Sequence, residues 1–379
     1  MRRTLESIQW GLFCTSSWTW CIGMYLPFIL LRLWGWPGFW AFFIPNVLGC
    51  AAFGLVLDAR RSRSLAARLG WACALFSAFT VAYQCYFAGW AAQSAVAGKG
   101  GGEPAAAAMR TVAATGVPIV LLVAGLVAAG RGDAFWRTVG TAVTLLTPLV
   151  VLLPGGTGAN GGAPIEPILP EQSLLFAFPT IAFGFLLSPY LDLTFHRAAQ
   201  EAPSPRIAFA TFGLAFAAML LLVASFHDPA TGSPRPGAAL LVLWGVQLAF
   251  TVGAHLRELL LAGPGMRIPA SATGSLVALG VLLATPAFLF TVGSGLLPGE
   301  PLYLAFLGGY GLLFPTLFLS ELRGMPRWAT AAILLLGLPC YLLGAYEFTT
   351  VLMPLPVVAA LVAARAMHER GPATPPAIG

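Results

Sequence analysis

Asp192 and His196 stand four residues apart, and His255 and Glu258 three apart, in a chain that has only four histidines. At helical pitch each pair shares a face, and together they carry the donor types that hold a metal and activate water. No HExxH or paired acidic motif accompanies them, so this spacing is the only support for a membrane-embedded metal enzyme. His196, His227, His255 and His368 are too few for a set of haem and copper ligands. The same groups suit proton uptake. Burial tunes the proton affinity of a carboxylate or imidazole, so Asp192 or His255 can serve as a site of H⁺ coupling. A second set, Gln247, Thr251, His255 and Glu258, recurs at spacings of four, four and three along one apolar run. Such a polar stripe must face protein, because lipid offers its polar atoms no partner. His255 and Glu258 have a blander reading as well, as side chains snorkelling to the surface beside Arg257.

The elements that position these groups follow from composition. Hydrophobic residues make up 58% of the 379 residues and charged ones only 9%, with a mean hydropathy of +0.83. A water-soluble core could not hide that much apolar surface, so the expected fold class is an all-α polytopic membrane protein. No polar run is long enough for a soluble catalytic domain. Cys14, Cys21, Cys50, Cys73, Cys85 and Cys340 all fall in apolar runs without a CxxC or Cys/His cluster, and read as small packing residues.

Apolar runs predict about twelve spans: 9 to 31, 36 to 57, 68 to 92, 109 to 130, 134 to 153, 173 to 192, 206 to 226, 237 to 260, 272 to 296, 301 to 320, 328 to 347 and 349 to 367. The first is read as a retained span, since it has no convincing small-residue cleavage site. The expected organisation is one transmembrane domain over 1–379. Helices 1–5 cover about 9–153, helices 6–10 about 173–320 and helices 11–12 about 328–367, with a cytoplasmic tail at 368–379. Two Gly/Pro/Ala-rich stretches, 94 to 108 and 154 to 172, read as external connectors, and the second could also act as a lid.

Charge orients the chain. With the N-terminus inside, sixteen basic residues fall in inner segments, and only Arg32, Lys99, Arg110 and Arg235 fall in outer ones. Both termini are therefore expected in the cytoplasm, in a cell (inner) membrane. Topology thus explains the basic pI, which does not signal a nucleic-acid partner. The expected partner is the lipid bilayer, and no cofactor is expected.

Two spans carry breaks. The first reads CTSSWTWCIGMYLPFILL, with Ser16, Ser17, Thr19, Gly23 and Pro27 near mid-depth. The sixth has Pro179, Thr180, Gly184, Ser188 and Pro189. Gly/Pro-interrupted spans at matching places in two halves are a sequence pointer to a binding site at the bilayer midplane. The first starts inside and the sixth outside, as a five-plus-five inverted repeat requires. On this reading the breaks near Thr19 to Gly23 and Thr180 to Gly184 present backbone groups to substrate. Gln84 shares a polar strip with Ser77 and Thr80 on the third span.

The stretch FGFLLSPYLDLTFHRAAQEAPSPRIAFATFGLAFAAMLLL resembles the core of sodium:solute symporters and their relatives in the amino acid-polyamine-organocation superfamily. The likeness is carried by Ser188, Pro189, Tyr190, Arg197, Ala198 and Ala199, and the run from Trp34 to Leu57 is similar to the second span of those proteins. His196 stands where that family has a Gln. The resemblance implies an inverted-repeat bundle with broken helices 1 and 6, acting as a secondary active transporter of a small solute. It also implies a sodium site between the first and eighth spans, to which Thr251 would contribute, with Na⁺ or H⁺ as the coupling ion, and a substrate cavity lined by Gln84 and Tyr190. The alternative within transporters is the major facilitator superfamily, whose loop motif Gly54 to Arg63 partly resembles, with Ala59 in place of a basic residue. The alternative outside them is the metal-dependent enzyme using Asp192, His196, His255 and Glu258.

Overall fold

The computed structural model describes residues 1–97, 104–151, 166–226, 238–260 and 299–369. The predicted span 272 to 296 lies outside them, as do 98–103 and 154–165 of the two predicted connectors; 94–97 and 104–108, read as connector, are helical. No strand occurs among the described residues. The helices are α1 (Arg2–Trp18), α2 (Cys21–Val56), α3 (Ala59–Arg68), α4 (Gly70–Ala97), α5 (Pro104–Ala129), α6 (Asp133–Val151) and α7 (Gln172–Leu187). After them come α8 (Leu193–Glu201), α9 (Pro205–Ala224), α10 (Ala238–Leu260), α11 (Gly299–Gly308), α12 (Phe314–Arg323), α13 (Arg327–Tyr346) and α14 (Pro354–Glu369). Eight candidate spans among the described residues are long and apolar enough to cross a membrane, so the chain is an all-α multi-pass membrane protein. Large apolar side chains such as Leu214, Leu335 and Leu336 point outward, as a lipid-facing surface requires.

The first predicted span is α1 plus the start of α2, interrupted at Thr19 and Trp20. Thr19 leaves the helical region with ψ 69, and Trp20 is extended with ψ 177. Thr15 and Thr19 turn their hydroxyls back on the carbonyls of Gly11 and Thr15, and such back-bonding bends helices. The second predicted span begins at Gly35, whose φ of 62 and ψ of −152 reverse the chain inside α2. Pro37 has no N–H to give the carbonyl of Leu33, so Leu169 supplies one at 3.0 Å, while Ile168 serves Arg32 at 3.2 Å.

The second break lies later than expected. Helix α7 runs unbroken through Pro179, Thr180 and Gly184. Pro179 deletes a single backbone donor, and that does not end a helix held by its neighbours. The chain gives way at Ser188–Leu191, a 3₁₀ turn opened by Pro189, and Asp192 then starts α8 as its N-cap. A π-helical turn at Gly309–Leu313 separates α11 from α12, another local departure of the kind that accompanies functional sites.

Around these breaks α1 packs on α6 and α9, α2 on α7 and α9, α4 on α5 and α10, and α7 on the π turn and α12. Glycines mark the closest approaches. Gly11 meets the backbone of Ala208, Gly49 that of Phe185, Gly140 that of Phe13 and Gly184 that of Tyr310.

Candidate functional site

The two breaks touch. Ser17 and Thr194 share a hydrogen bond of 2.9 Å between their hydroxyls, and the rings of Trp18 and Phe195 stand 4.8 Å apart. Asp192 Oδ1 accepts from the Thr194 N–H at 2.6 Å and from its hydroxyl at 2.7 Å. A chain of hydrogen bonds therefore links Ser17 through Thr194 to Asp192: the Thr194 hydroxyl donates to the carboxylate, and the Ser17 hydroxyl lies between Thr194 and the Cys14 carbonyl at 3.2 Å.

The other carboxylate oxygen is the unusual atom. Asp192 Oδ2 is buried with no hydrogen-bond partner among the described residues, and so is His255 Nε2; the two face each other across 3.9 Å. Both side chains are fully buried, and 3.9 Å is beyond hydrogen-bond reach. A buried polar atom left unpaired costs about 1–3 kcal/mol, so two such atoms pointing at one another form a high-energy arrangement. A proton drawn into the gap, or a small closing motion, would relieve it. His255 is held from behind by Ser77, whose hydroxyl lies 3.1 Å from Nδ1. Trp20 packs edge-on beside it, with ring centroids 5.8 Å apart.

The freed backbone at the first break has protein partners. Gln84 Oε1 accepts the Cys21 N–H at 3.1 Å, and the Tyr303 hydroxyl donates to the Cys21 carbonyl at 2.9 Å. The Thr251 hydroxyl reaches the Ser16 carbonyl at 3.2 Å and the Gln247 carbonyl at 3.0 Å. The Trp20 indole folds back onto the Ser17 carbonyl, and Asn46 takes the Trp18 indole N–H at 3.0 Å. Ser16 and Ser188, the residues at the edge of each break, donate to the carbonyls of Gly140 at 2.8 Å and Tyr310 at 2.9 Å.

Above this layer lies an apolar cavity of about 90 Å³, walled by Leu26, Leu30, Thr180, Phe185 and Leu307 with Tyr310 among its lining residues. An Arg32–Glu300 ion pair sits at one end, where Glu300 lines the wall. Tyr310 connects the cavity to the breaks, since its ring is 5.0 Å from that of Trp20. Beyond the Asp192–His255 pair is a charged chain whose middle members, Glu258 and Arg257, are buried. Arg197 holds Glu258, which also meets Arg257, and Arg257 in turn pairs with Asp133.

The predicted residues separate on these positions. Thr19, Gln84, Asp192, Thr251 and His255 converge on the breaks. Thr180 lines the cavity, with its hydroxyl committed to the Met353 carbonyl at 2.9 Å. Gly23 turns instead to Leu220 and Phe216 of α9, because the helix has already resumed at Cys21. Gly184 is a packing position, where an added Cβ would meet the Tyr310 carbonyl at 2.8 Å. Tyr190 is stacked between Phe53 and Phe318 at 5.4 Å from each, away from the cavity.

The quartet Asp192, His196, His255 and Glu258 does not assemble. His196 is tied to Ser62 at 2.8 Å and to the Tyr190 carbonyl at 3.0 Å, and Glu258 is taken by arginines. No group of three or more His, Cys, Asp or Glu among the described residues could hold a metal ion. His255 and Glu258 are fully buried, so neither snorkels to a surface. Sequence reasoning passed over Tyr303 and Tyr310, whose signal was two tyrosines seven residues apart in an apolar run. It also passed over Thr194, which follows an N-cap aspartate by two positions.

The chain matches no family model. No curated protein matches it in sequence. What the site can do therefore rests on its own geometry: two helix breaks in contact, an unpaired acid and imidazole between them, an apolar cavity on one side and a charged lock on the other.

Proposed function

We propose that this protein is a secondary active transporter of a small solute, coupled to H⁺ through Asp192 and His255. The carrying observation is the facing pair of unpartnered atoms, Asp192 Oδ2 and His255 Nε2, at the point where two interrupted helices meet. Buried ionisable groups inside a membrane are costly and are retained where a proton or ion must pass. Binding a proton between the two would draw α10 and the break after α7 together; releasing it would part them. Solute enters from the apolar cavity, with the Arg32–Glu300 pair at one end and the Trp20 and Tyr310 rings as its barrier. The Arg197–Glu258–Arg257–Asp133 chain closes the opposite side.

The inverted-repeat reading belongs to the same proposal, in keeping with the resemblance to sodium:solute symporters. Exchanging the first five predicted spans with the next five turns the packing of α1 on α9 into that of α7 on α2. It likewise turns the packing of α1 on α6 into that of α7 on the π turn and α12. The Ser16–Gly140 and Ser188–Tyr310 hydrogen bonds exchange in the same way. The arginine-rich ends, with both termini, then lie on the cytoplasmic side of an inner membrane. Sodium coupling would use the Ser16 carbonyl and the Thr251 hydroxyl. Those two oxygens already satisfy one another, so the unpaired acid and imidazole favour the proton.

The test uses purified protein in liposomes loaded with the pH dye pyranine. Amino acids, amines, carboxylates and sugars are added outside in turn. At least one solute should drive proton entry with wild-type protein and fail to do so with Asp192→Asn. If no solute in the panel moves protons, or if the Asn variant moves them equally well, H⁺-coupled transport through Asp192 is wrong.

A further inference from the structure

A surface groove of about 240 Å³ lies at the arginine-rich ends of α2 and α9, walled by Gly54, Leu55, Val56, Asp58, Arg61 and the Pro203–Arg206 turn. Its two ends differ in chemistry. Leu55 and Val56 are the last apolar residues of α2 and are 66% and 50% exposed, which gives the groove a hydrocarbon wall. Arg61 and Arg206 bring two exposed guanidiniums to the same groove from elements far apart in sequence. Arg60 and Arg63, on the exposed side of α3, add charge nearby. One anion opposes them: Asp58 caps α3 by accepting the Arg61 N–H at 2.8 Å. That hydrogen bond holds its carboxyl below the ordinary carboxylate range. Its contact with the Arg61 side chain is loose, at 4.0 Å, and Arg61 Nη1 donates to the Val56 carbonyl at 3.3 Å, which sets the guanidinium against the groove wall and leaves its other N–H groups for a phosphate.

We infer that this groove binds one anionic phospholipid, with its phosphate between Arg61 and Arg206 and the start of an acyl chain along Leu55 and Val56. A polar groove of two arginines alone would suit any phosphate. The aliphatic wall continuous with the lipid-facing side of α2 selects an amphiphile, and basic grooves between spans at the edge of the hydrocarbon region are where acidic headgroups collect. Arginine suits this role because its planar fork pairs with two phosphate oxygens at once.

The experiment takes the full-length protein in detergent, adds dioleoyl-phosphatidylglycerol or dioleoyl-phosphatidylcholine, and measures retained lipid by native mass spectrometry. Phosphatidylglycerol should be retained by wild type in preference to phosphatidylcholine. The double variant Arg61→Gln/Arg206→Gln should weaken that retention roughly thirty-fold, which is about 2 kcal/mol. The control Arg327→Gln/Arg365→Gln has the same loss of charge at exposed sites elsewhere and should retain lipid like wild type. Glycerol 3-phosphate, which has the headgroup without chains, should not displace the lipid. Equal retention by the Arg61/Arg206 variant would overturn the site. Equal loss in the control would reduce it to bulk charge. Displacement by glycerol 3-phosphate or by inorganic phosphate would make it an anion site with no lipid preference.

Discussion

Arg197 grips Glu258 through Nε at 3.2 Å and Nη2 at 3.1 Å from the same carboxylate oxygen, joining α8 to α10 in a region where Glu258 has no access to solvent. Arg257 approaches the other oxygen at 3.3 Å and carries the chain on to Asp133 of α6. Three elements are thus fastened around Glu258 and Arg257, two charges taken out of water, while Arg197 and Asp133 at the ends of the chain keep partial access to it. Such pairs add little net stability over apolar packing, but breaking one partner is expensive because the other charge stays buried.

Glu258→Gln should therefore lower stability by about 3–5 kcal/mol, read by equilibrium unfolding in mixed detergent micelles. Replacing both members, Arg197→Leu with Glu258→Leu, should cost less than Glu258→Gln alone. A Gln variant as stable as wild type would mean that the guanidiniums find other partners and that this lock is not structural.

Asp192 has two separable jobs, one for each oxygen. Oδ1 caps α8, and Asn keeps that acceptor, so Asp192→Asn should stay folded within about 1 kcal/mol of wild type. Asp192→Ala loses the cap as well and should cost about 0.5–2 kcal/mol more. The proposed proton coupling rests on Oδ2 facing His255, and both substitutions should abolish it. His255→Gln should abolish coupling too, while Thr251→Ala should leave proton-driven uptake intact. A Thr251→Ala variant that loses only sodium-dependent uptake would move the coupling ion from H⁺ to Na⁺.

Glycines give a contrast that is independent of function. Gly35 sits at φ 62 and ψ −152, a region that a side chain enters only with strain of about 1–3 kcal/mol. Gly245 lies within α10, with nothing within 4 Å of an added Cβ, and there Ala should stabilise by up to about 1 kcal/mol. Gly35→Ala should lower the melting temperature and Gly245→Ala raise it, in one detergent with one dye. Opposite signs would show that the reversal within α2 does not depend on that glycine.

The apolar runs and the polar stripe on α10 were legible in the sequence because both depend on periodicity alone. Gln247, Thr251 and His255 do face the interior together. The first break was legible in the hydroxyl-rich run before Trp20. The second was misplaced because a proline inside an apolar helix looks the same whether or not the helix ends there. What ends α7 is the pairing of Pro189 with an N-cap at Asp192, and Pro179 has no such cap after it. The Arg197–Glu258 pair joins residues 61 positions apart, and the approach of Asp192 to His255 joins different helices, so neither could be read before the helices were packed. Tyr303 and Tyr310 escaped for a similar reason. Their hydroxyls matter because they reach Cys21 and Thr80 across the bundle, and nothing in their own neighbourhood announces it.

Ser16 and Ser188 allow the proposed kinship of the two halves to be tested by energetics. Each stands at the edge of a break and gives its hydroxyl to a carbonyl on the last span of its own half, Gly140 at 2.8 Å and Tyr310 at 2.9 Å. Each of these contacts sits beside a glycine approach, Gly140 against Phe13 and Gly184 against Tyr310. Removing either hydroxyl deletes one buried hydrogen bond, at a cost of about 0.5–1.5 kcal/mol. If the two positions are equivalents in a repeated design, Ser16→Ala and Ser188→Ala should destabilise by amounts within about 1 kcal/mol of each other, measured by unfolding in the same detergent. The Ser17–Thr194 bond couples the breaks, so the double variant should depart from additivity by about 0.5 kcal/mol or more. One silent variant beside one damaging variant would mean that the likeness of the two breaks is local geometry with no shared role, and the inverted repeat would lose its energetic support.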